Sequence, residues 1–344
     1  MRPEFDPSAA ADPDSGIFGL DVSPEQARVH VLGVPFDATT SFRPGTARGP
    51  EAILRASHQV DLHDMVTGKP YEEGIWMAEP DPEVIAWNEE ARVDAQRVIE
   101  AGGVGHDTTL RECAARVDAV QERLNDWVAA RTSASLEAGK LCATLGGDHS
   151  VALGAIEAHA QRYPGMGILH LDAHADLRVA FEGFRYSHAS ILHNVLERIE
   201  NPGPLVQVGL RDLAEEEVQR IRSSDHIHAL FDHEWAQMKL AREPLTRHVL
   251  KTLEPLPEAV YVTFDIDGLD PSLCPSTGTP VPGGLNWHEA MMWLQALRDS
   301  GRRIVGFDLT EVAPGDADKL GEGWDEIVGA RLLYRLIGFA LSTP

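Results

Sequence analysis

Apolar runs of five to seven residues, with little polar alternation inside them, recur along the chain and alternate with stretches of helical spacing. Val29-His30-Val31-Leu32-Gly33-Val34 is the first such run, and Pro35 ends it. Residues 141–145, 167–171, 205–210, 226–231, 259–264 and 304–309 have the same character. Runs of that length bounded by turn residues predict buried strands. Helical spacing predicts helices from Pro50, over 82–130 with a break at Gly102-Gly103, and over 151–163, 187–199, 287–298 and 325–341. Further helices are expected after the strands at 205–210 and 226–231, whereas 37–49 reads as a loop and 61–82 as irregular. Residues 1–28 read as an N-terminal arm, loose to about Glu25, and 29–344 as one catalytic domain. Strands and helices that alternate, with strands apolar on both faces, predict an α/β fold with a parallel sheet covered on each side.

In such sheets, sites form just beyond the carboxyl ends of the strands. Three short acidic and histidine clusters lie there: Gly146-Gly147-Asp148-His149-Ser150, Asp172-Ala173-His174-Ala175-Asp176 and Asp265-Ile266-Asp267-Gly268-Leu269-Asp270. Glu311 follows the 304–309 strand in the same way. Residues two apart on a strand share a face, which pairs Asp172 with His174 and Asp265 with Asp267. Asp148 and Asp270 have turn-forming neighbours and read as turn or cap residues. The remaining set is rich in oxygen, carries two imidazoles and lacks sulfur, which suits hard or borderline divalent ions. So many anionic groups converge only around cations, and a two-metal hydrolytic centre is the expectation.

Composition is that of an ordinary soluble protein, 43% hydrophobic and 24% charged. The formal net charge of −24 argues against nucleic acid or an anionic membrane as partner and suits a cationic substrate. Cys113, Cys142 and Cys274 share no C-x-x-C spacing, and the first residues contain no apolar signal core. A cytoplasmic protein is expected.

The three clusters, in this order, resemble the signatures of the ureohydrolases, the arginase and agmatinase family, and the similarity runs from about Val29 to Phe339. The resemblance implies a three-layer α/β/α fold with a mainly parallel eight-stranded sheet, a binuclear Mn²⁺ centre and a homo-oligomer, a trimer or hexamer. It further implies that His149, Asp172, Asp176 and Asp265 hold one ion, and Asp172, His174, Asp265 and Asp267 the other. Glu311 matches the acid that pairs with a substrate guanidinium, and His188 matches a proton-carrying histidine. A planar guanidinium suits a carboxylate because two charge-assisted hydrogen bonds can form.

Residues 177–186 depart from the arginase pattern. The polar residues that hold an amino acid are missing there, so arginine is not the expected substrate. Asp176-Leu177-Arg178 resembles formiminoglutamases, where Arg178 would hold a substrate carboxylate. The passage from Asp172 to Ile191 looks most like an agmatinase-like subgroup that includes guanidine hydrolases, with which Ni²⁺ as well as Mn²⁺ is associated. Phe181, Phe184 and Tyr186 would then crowd the pocket mouth. The expected reaction is urea release from free guanidine or a short guanidino compound, with agmatine as the alternative and a metal-delivery accessory protein compatible with either. A single-zinc deacetylase-like amidohydrolase and a silent regulatory relative fit less well, because both histidines and every acid of the two-metal pattern are present.

Overall fold

A computed structural model describes residues 5–316 and 318–344. Residues 1–4 of the arm read from the sequence lie outside the described residues.

Eight strands form a single sheet in the order β2-β1-β3-β8-β7-β4-β5-β6, and every pairing is parallel. The strands are β1 Val29–Val34, β2 Ile75–Met77, β3 Leu141–Gly146, β4 Gly167–Leu171, β5 Leu205–Leu210, β6 Ile227–Phe231, β7 Ala259–Asp265 and β8 Arg303–Thr310. Seven of them fall where the apolar runs predict. The eighth, β2, lies in the stretch read as irregular; three residues on the sheet edge are too few to show a period.

Ten α-helices cover the sheet among the described residues. They are α1 Gly49–Ser57, α2 Pro82–Glu100, α3 Thr108–Glu137, α4 Ala152–Arg162, α5 Ile191–Arg198, α6 Glu215–Ser223, α7 Asp232–Leu240, α8 Leu245–Leu253, α9 Trp287–Asp299 and α10 Trp324–Leu341. Helix starts carry ordinary signals: Asp81 caps α2 ahead of Pro82, and Asp107 accepts from Thr109 N and Leu110 N at the start of α3. The predicted break at Gly102-Gly103 is present, both residues having positive φ, but α3 runs on to Glu137, past the expected end near Ala130. Buried Thr132 and Leu136 hold that extra length.

Strand side chains alternate between two apolar layers. Val29, Val31, Leu169, Leu171, Val260, Val262 and Phe264 pack with α1 and α8–α10, whereas Ile168 and Tyr261 pack with α4 and α5. The N-terminal segment is not loose throughout. Ile17, Phe18 and Leu20 are buried, the Phe18 ring lies 4.8 Å from that of Tyr334, and Phe18 N donates to Ser57 Oγ at 2.8 Å. Three apolar residues in so short a stretch give no period, so this packing is invisible until the partner helices are in place.

Candidate metal centre

The four central strands, β3, β8, β7 and β4, bring their carboxyl ends to one rim. His149 follows β3 in a short 3-10 turn capped by Asp148, whose Oδ1 accepts from Ser150 N at 3.1 Å. Asp172, His174 and Asp176 follow β4, Asp265 ends β7 with Asp267 in the 3-10 turn just after it, and Glu311 follows β8. Except for His174, which is about a quarter exposed, all are buried.

Asp172 stands at the centre. Its Oδ2 is 3.1 Å from His149 Nδ1, and its Oδ1 is 3.4 Å from His174 Nδ1. Asp176 Oδ2 and Asp265 Oδ2 lie 3.0 and 3.6 Å from the same His149 nitrogen, and Asp267 Oδ2 lies 3.1 Å from His174 Nδ1. Two overlapping donor groups result, His149, His170, Asp172 and Asp176 in one and Asp172, His174 and Asp267 in the other, each with its donor atoms within 4.8 Å of one another. Asp172 belongs to both, as a bridging carboxylate must. Asp265 approaches only the His149 group with its Oδ2, while its Oδ1 accepts from Asp267 N at 2.8 Å.

The electrostatics are those of an anionic cluster that wants cations. Burial, then Asp172, pushes the Asp176 carboxyl up to about 6. Burial, with Asp267 and Asp172 beside it, raises Asp265 well above the usual carboxylate range. Burial, with Asp148 nearby, does the same to Glu311. Burial opposes ionisation of Asp172 too, but His170, His149 and His174 outweigh it and hold Asp172 well below that range. Burial works against a charge on His149 and His174, yet the carboxylates facing them raise both imidazoles well above the usual value. Protons here do the work that divalent cations would do better, so the donor set fits a pair of such ions.

Several residues support this cluster; Thr263, Asp308 and Gln207 escaped the sequence reading, whereas His170, one strand position before Leu171-Asp172, reads there as a candidate support. Thr263 Oγ1 donates to Asp308 Oδ1 at 2.8 Å and must therefore accept from His149 Nε2–H, also at 2.8 Å. That holds a proton on Nε2 and leaves Nδ1, turned towards the carboxylates, as the nitrogen that would give up its proton to a metal. His170 Nε2 meets Asp172 Oδ2 at 2.7 Å; Gln207 Nε2 donates to Ala175 O at 2.9 Å and reaches His170 Nδ1 at 3.0 Å. His170 is thus a support for Asp172. Thr263 and Asp265, like His170 and Asp172, are polar side chains two apart on otherwise apolar strands, and this was the available signal.

Glu311 has φ of 61° and Asp176 of 55°, left-handed values that residues with a side chain adopt infrequently. Glu311 Oε1 accepts from His149 N at 2.9 Å. His188 lies beside Thr39, with Nδ1 3.3 Å from Thr39 Oγ1, and its ring meets that of Phe181 edge-on at 6.2 Å. Burial, then His174 and His149, pushes its imidazole down to about 4, well below the ordinary value of about 6.5.

The aromatic residues separate. Phe181 stays beside His188, and the Arg178 guanidinium lies over its ring at 5.2 Å, with Arg178 Nε 3.7 Å from Glu217 Oε2. Phe184 is fully buried against α2 and α3. Tyr186 is buried in the α4–α5 layer, where Arg198 Nη1 donates to its hydroxyl at 3.0 Å. The three-ring crowding expected at the pocket mouth is therefore absent, because two of the rings serve as core.

The profile of the arginase family matches residues 27–338. The chain is similar to N(1)-aminopropylagmatine ureohydrolase of Thermus thermophilus, 36% identical over 324 residues and 94% of each chain. It is 33% identical to an agmatinase of Edwardsiella ictaluri over 83% of this chain and 79% of that one. Its fold superposes on proclavaminate amidinohydrolase from Streptomyces clavuligerus with a TM-score of 0.70 at 24% identity, over 98% and 100% of the two chains. Fold, clustered carboxylates and relatives agree: this chain belongs to the arginase family and is a ureohydrolase, a metal-dependent amidinohydrolase that cleaves guanidino C–N bonds.

Proposed function

We propose that the substrate is a linear alkylguanidine with a cationic tail, agmatine or its N1-aminopropyl derivative, hydrolysed to urea and the amine. The burial of Phe184 and Tyr186 carries this reading, since it leaves Phe181 alone of the three rings beside His188 and removes the three-ring crowding that a small substrate would call for. The names of the relatives in Thermus and Edwardsiella support it. His149, Asp172, Asp176 and Asp265 would hold one ion, and Asp172, His174, Asp265 and Asp267 the second. Such a pair would supply Lewis acidity there and lower the pKa of a water held beside these residues towards neutrality. Glu311 orients the guanidinium with Oε2, since Oε1 is engaged by His149 N. His188, neutral at pH 7, accepts a proton on its ring and passes it to the departing amine nitrogen, while the water oxygen becomes the urea carbonyl.

Free guanidine is the second reading, favoured by one observation: the Arg178 cation lies over Phe181 at the rim, where it would repel a charged tail. Mn²⁺ and Ni²⁺ both suit the oxygen- and nitrogen-rich donors. Cys113, Cys142 and Cys274 are buried and unpaired, which supports a cytoplasmic placement, and a homotrimer or homohexamer is the assembly we propose. Urea release from agmatine, N1-aminopropylagmatine, guanidine, 4-guanidinobutyrate and arginine, after loading with each metal in turn, tests the assignment. Preference for the two agmatines upholds it, turnover of guanidine alone replaces it with the second reading, and no urea from any of them overturns both.

A further inference from the structure

The guanidinium of Arg211, the residue just past β5, is bound by backbone carbonyls. Its Nε donates to Val281 O at 3.1 Å, Nη1 to Gly209 O at 3.0 Å and to Gly268 O at 3.5 Å, and Nη2 to Asp267 O at 2.6 Å and Leu269 O at 3.1 Å. Five N–H groups thus meet five acceptors, the full donor capacity of an arginine. Three of those carbonyls belong to consecutive residues, 267 to 269, in and just after the 3-10 turn that carries Asp267. Gly284, at φ of 96°, leaves room for the fork: a Cβ there would lie 2.9 Å from Nη2 and 2.6 Å from Leu269 O.

The same residue also reaches the β4 cluster. Arg211 N donates to Ala173 O at 2.8 Å, and Ala173 N donates to Asp267 Oδ1 at 3.1 Å. Together with the bond from Nη2 to Asp267 O, these close a ring of three hydrogen bonds through Arg211, Ala173 and Asp267. Ala173 stands between Asp172 and His174, so the ring joins all three members of one donor group, Asp172, His174 and Asp267. Thr279 Oγ1 donates to the other oxygen of Asp267 at 3.3 Å, and Arg211 Nε holds the chain two residues further on, at Val281. The His149 group has different supports, Thr263 at His149 and Gln207 behind His170. One arginine therefore braces one of the two donor groups.

We propose that Arg211 is a positioning residue for the metal centre, setting Asp267 against His174 and so fixing the ion that those two would hold. It acts through the backbone and touches neither metal nor substrate. The proposal rests on the two-ion reading of the site. Lysine at this position would keep the charge, but a compact ammonium with three donors cannot span β5, the 267–269 carbonyls and Val281 at once.

The test is calorimetric titration of Mn²⁺ into the stripped full chain, with bound metal counted after gel filtration, for the parent, Arg211→Lys and Arg211→Gln. The parent should take up two ions. In both variants one ion should bind with Kd within about threefold of the parent's, and the other at least about tenfold more weakly, as loss of a support behind a ligand produces. Adding Arg211→Lys to Asp267→Ala should leave the remaining ion unaffected, since the carboxylate that Arg211 positions is already gone. A purely structural role would weaken both ions alike, and that result would overturn the proposal, as would unchanged affinity for both. Failure of both variants to fold would overturn it too, making Arg211 a prop of the whole fold. A parent that takes up fewer than two ions would refute the two-ion reading itself, and the proposal with it.

Discussion

The two faces of the central strands differ most at their carboxyl ends. On the side of α1 and α8–α10 the strands present Leu145, Leu171, Val262, Phe264, Phe307 and Leu309, all buried in one continuous apolar layer. On the other side the same strands present His170, Asp172, Thr263, Asp265 and Asp308, buried just as fully. Burial stabilises the first set through removal of apolar area from water and opposes the second, whose carboxyls Asp265 and Asp308 are raised by it. The comparison teaches that the rim is a strained, anion-crowded surface held in place by an apolar layer on the opposite face of the same strands. Stability and function thus reside in different side chains, and single substitutions can separate them.

The sharpest break is Asp265→Asn. The amide oxygen still accepts from Asp267 N, but one crowded carboxylate is gone. Urea production should fall about 10³-fold with loss of bound metal, since the second charge on the metal cradle is missing. In metal-stripped protein the same variant should melt about 1–2 °C higher, the shift expected from about 1 kcal/mol of relieved repulsion in a chain of this length. Metal analysis, a urea assay and thermal melts read all three. A variant that keeps its metals and activity, or melts lower without them, would show that the rim is not strained.

The apolar layer should behave in the opposite way. Leu333 in α10 is fully buried in that layer. Leu333→Ala should lower unfolding free energy by about 3 kcal/mol through lost burial and an unfilled cavity, while agmatine KM and metal content stay at parental values. Urea-denaturation curves alongside steady-state kinetics would check it; a tenfold change in KM would mean that the layer tunes the site rather than merely holding it.

Two buried histidines on the same side of the sheet sharpen the contrast. His149, among carboxylates, is raised, whereas burial pushes His159 down to about 4, with Nδ1 donating to Ala155 O at 2.7 Å. His159 therefore stays neutral in the folded chain while the unfolded chain takes up a proton below about 6.5. Its contribution is complete above pH 6.5 and is lost as pH falls from there towards 4. At pH 5 the loss is about 2 kcal/mol. His159→Leu should remove about that much of the difference in stability between pH 7 and pH 5, as measured by urea denaturation, and an unchanged difference would mean that His159 is not the titrating group.

Legibility in the sequence follows the range of the interaction. Seven strands and the three ligand clusters were plain because each is a local pattern: an apolar run, then acids and imidazoles at spacing two. Strand β2 was not, since Ile75–Met77 is strand only because β1 is beside it. Phe184 and Tyr186 were read as pocket residues because they neighbour His188 in the chain, and the loop turns both rings into separate cores. Ile17 and Phe18 were read as arm for the same reason, their partners Ser57 and Tyr334 lying far along the chain.

Thr263 marks the boundary between the two faces and yields the smallest expected effect. It sits on β7 directly across from Asp308 of β8, with Val262 and Phe264 on either side of it pointing into the apolar layer. Among the described residues its hydroxyl makes the one hydrogen bond from the sheet to His149 Nε2, with Asp308 Oδ1 farther off at 4.0 Å. Thr263→Val keeps the shape and the strand preference, so the apolar layer and the sheet should be unaffected. What disappears is the acceptor that holds the proton on Nε2, and the imidazole is then free to place it on Nδ1, the nitrogen meant for the metal. Metal affinity should fall about tenfold, the lower end of what removal of such a support produces, with kcat at saturating metal nearly restored. Titration of stripped protein with Mn²⁺ separates these quantities. A drop in kcat that excess metal fails to repair would place Thr263 in the reaction itself, and equal metal affinity would mean that the carboxylates alone orient His149.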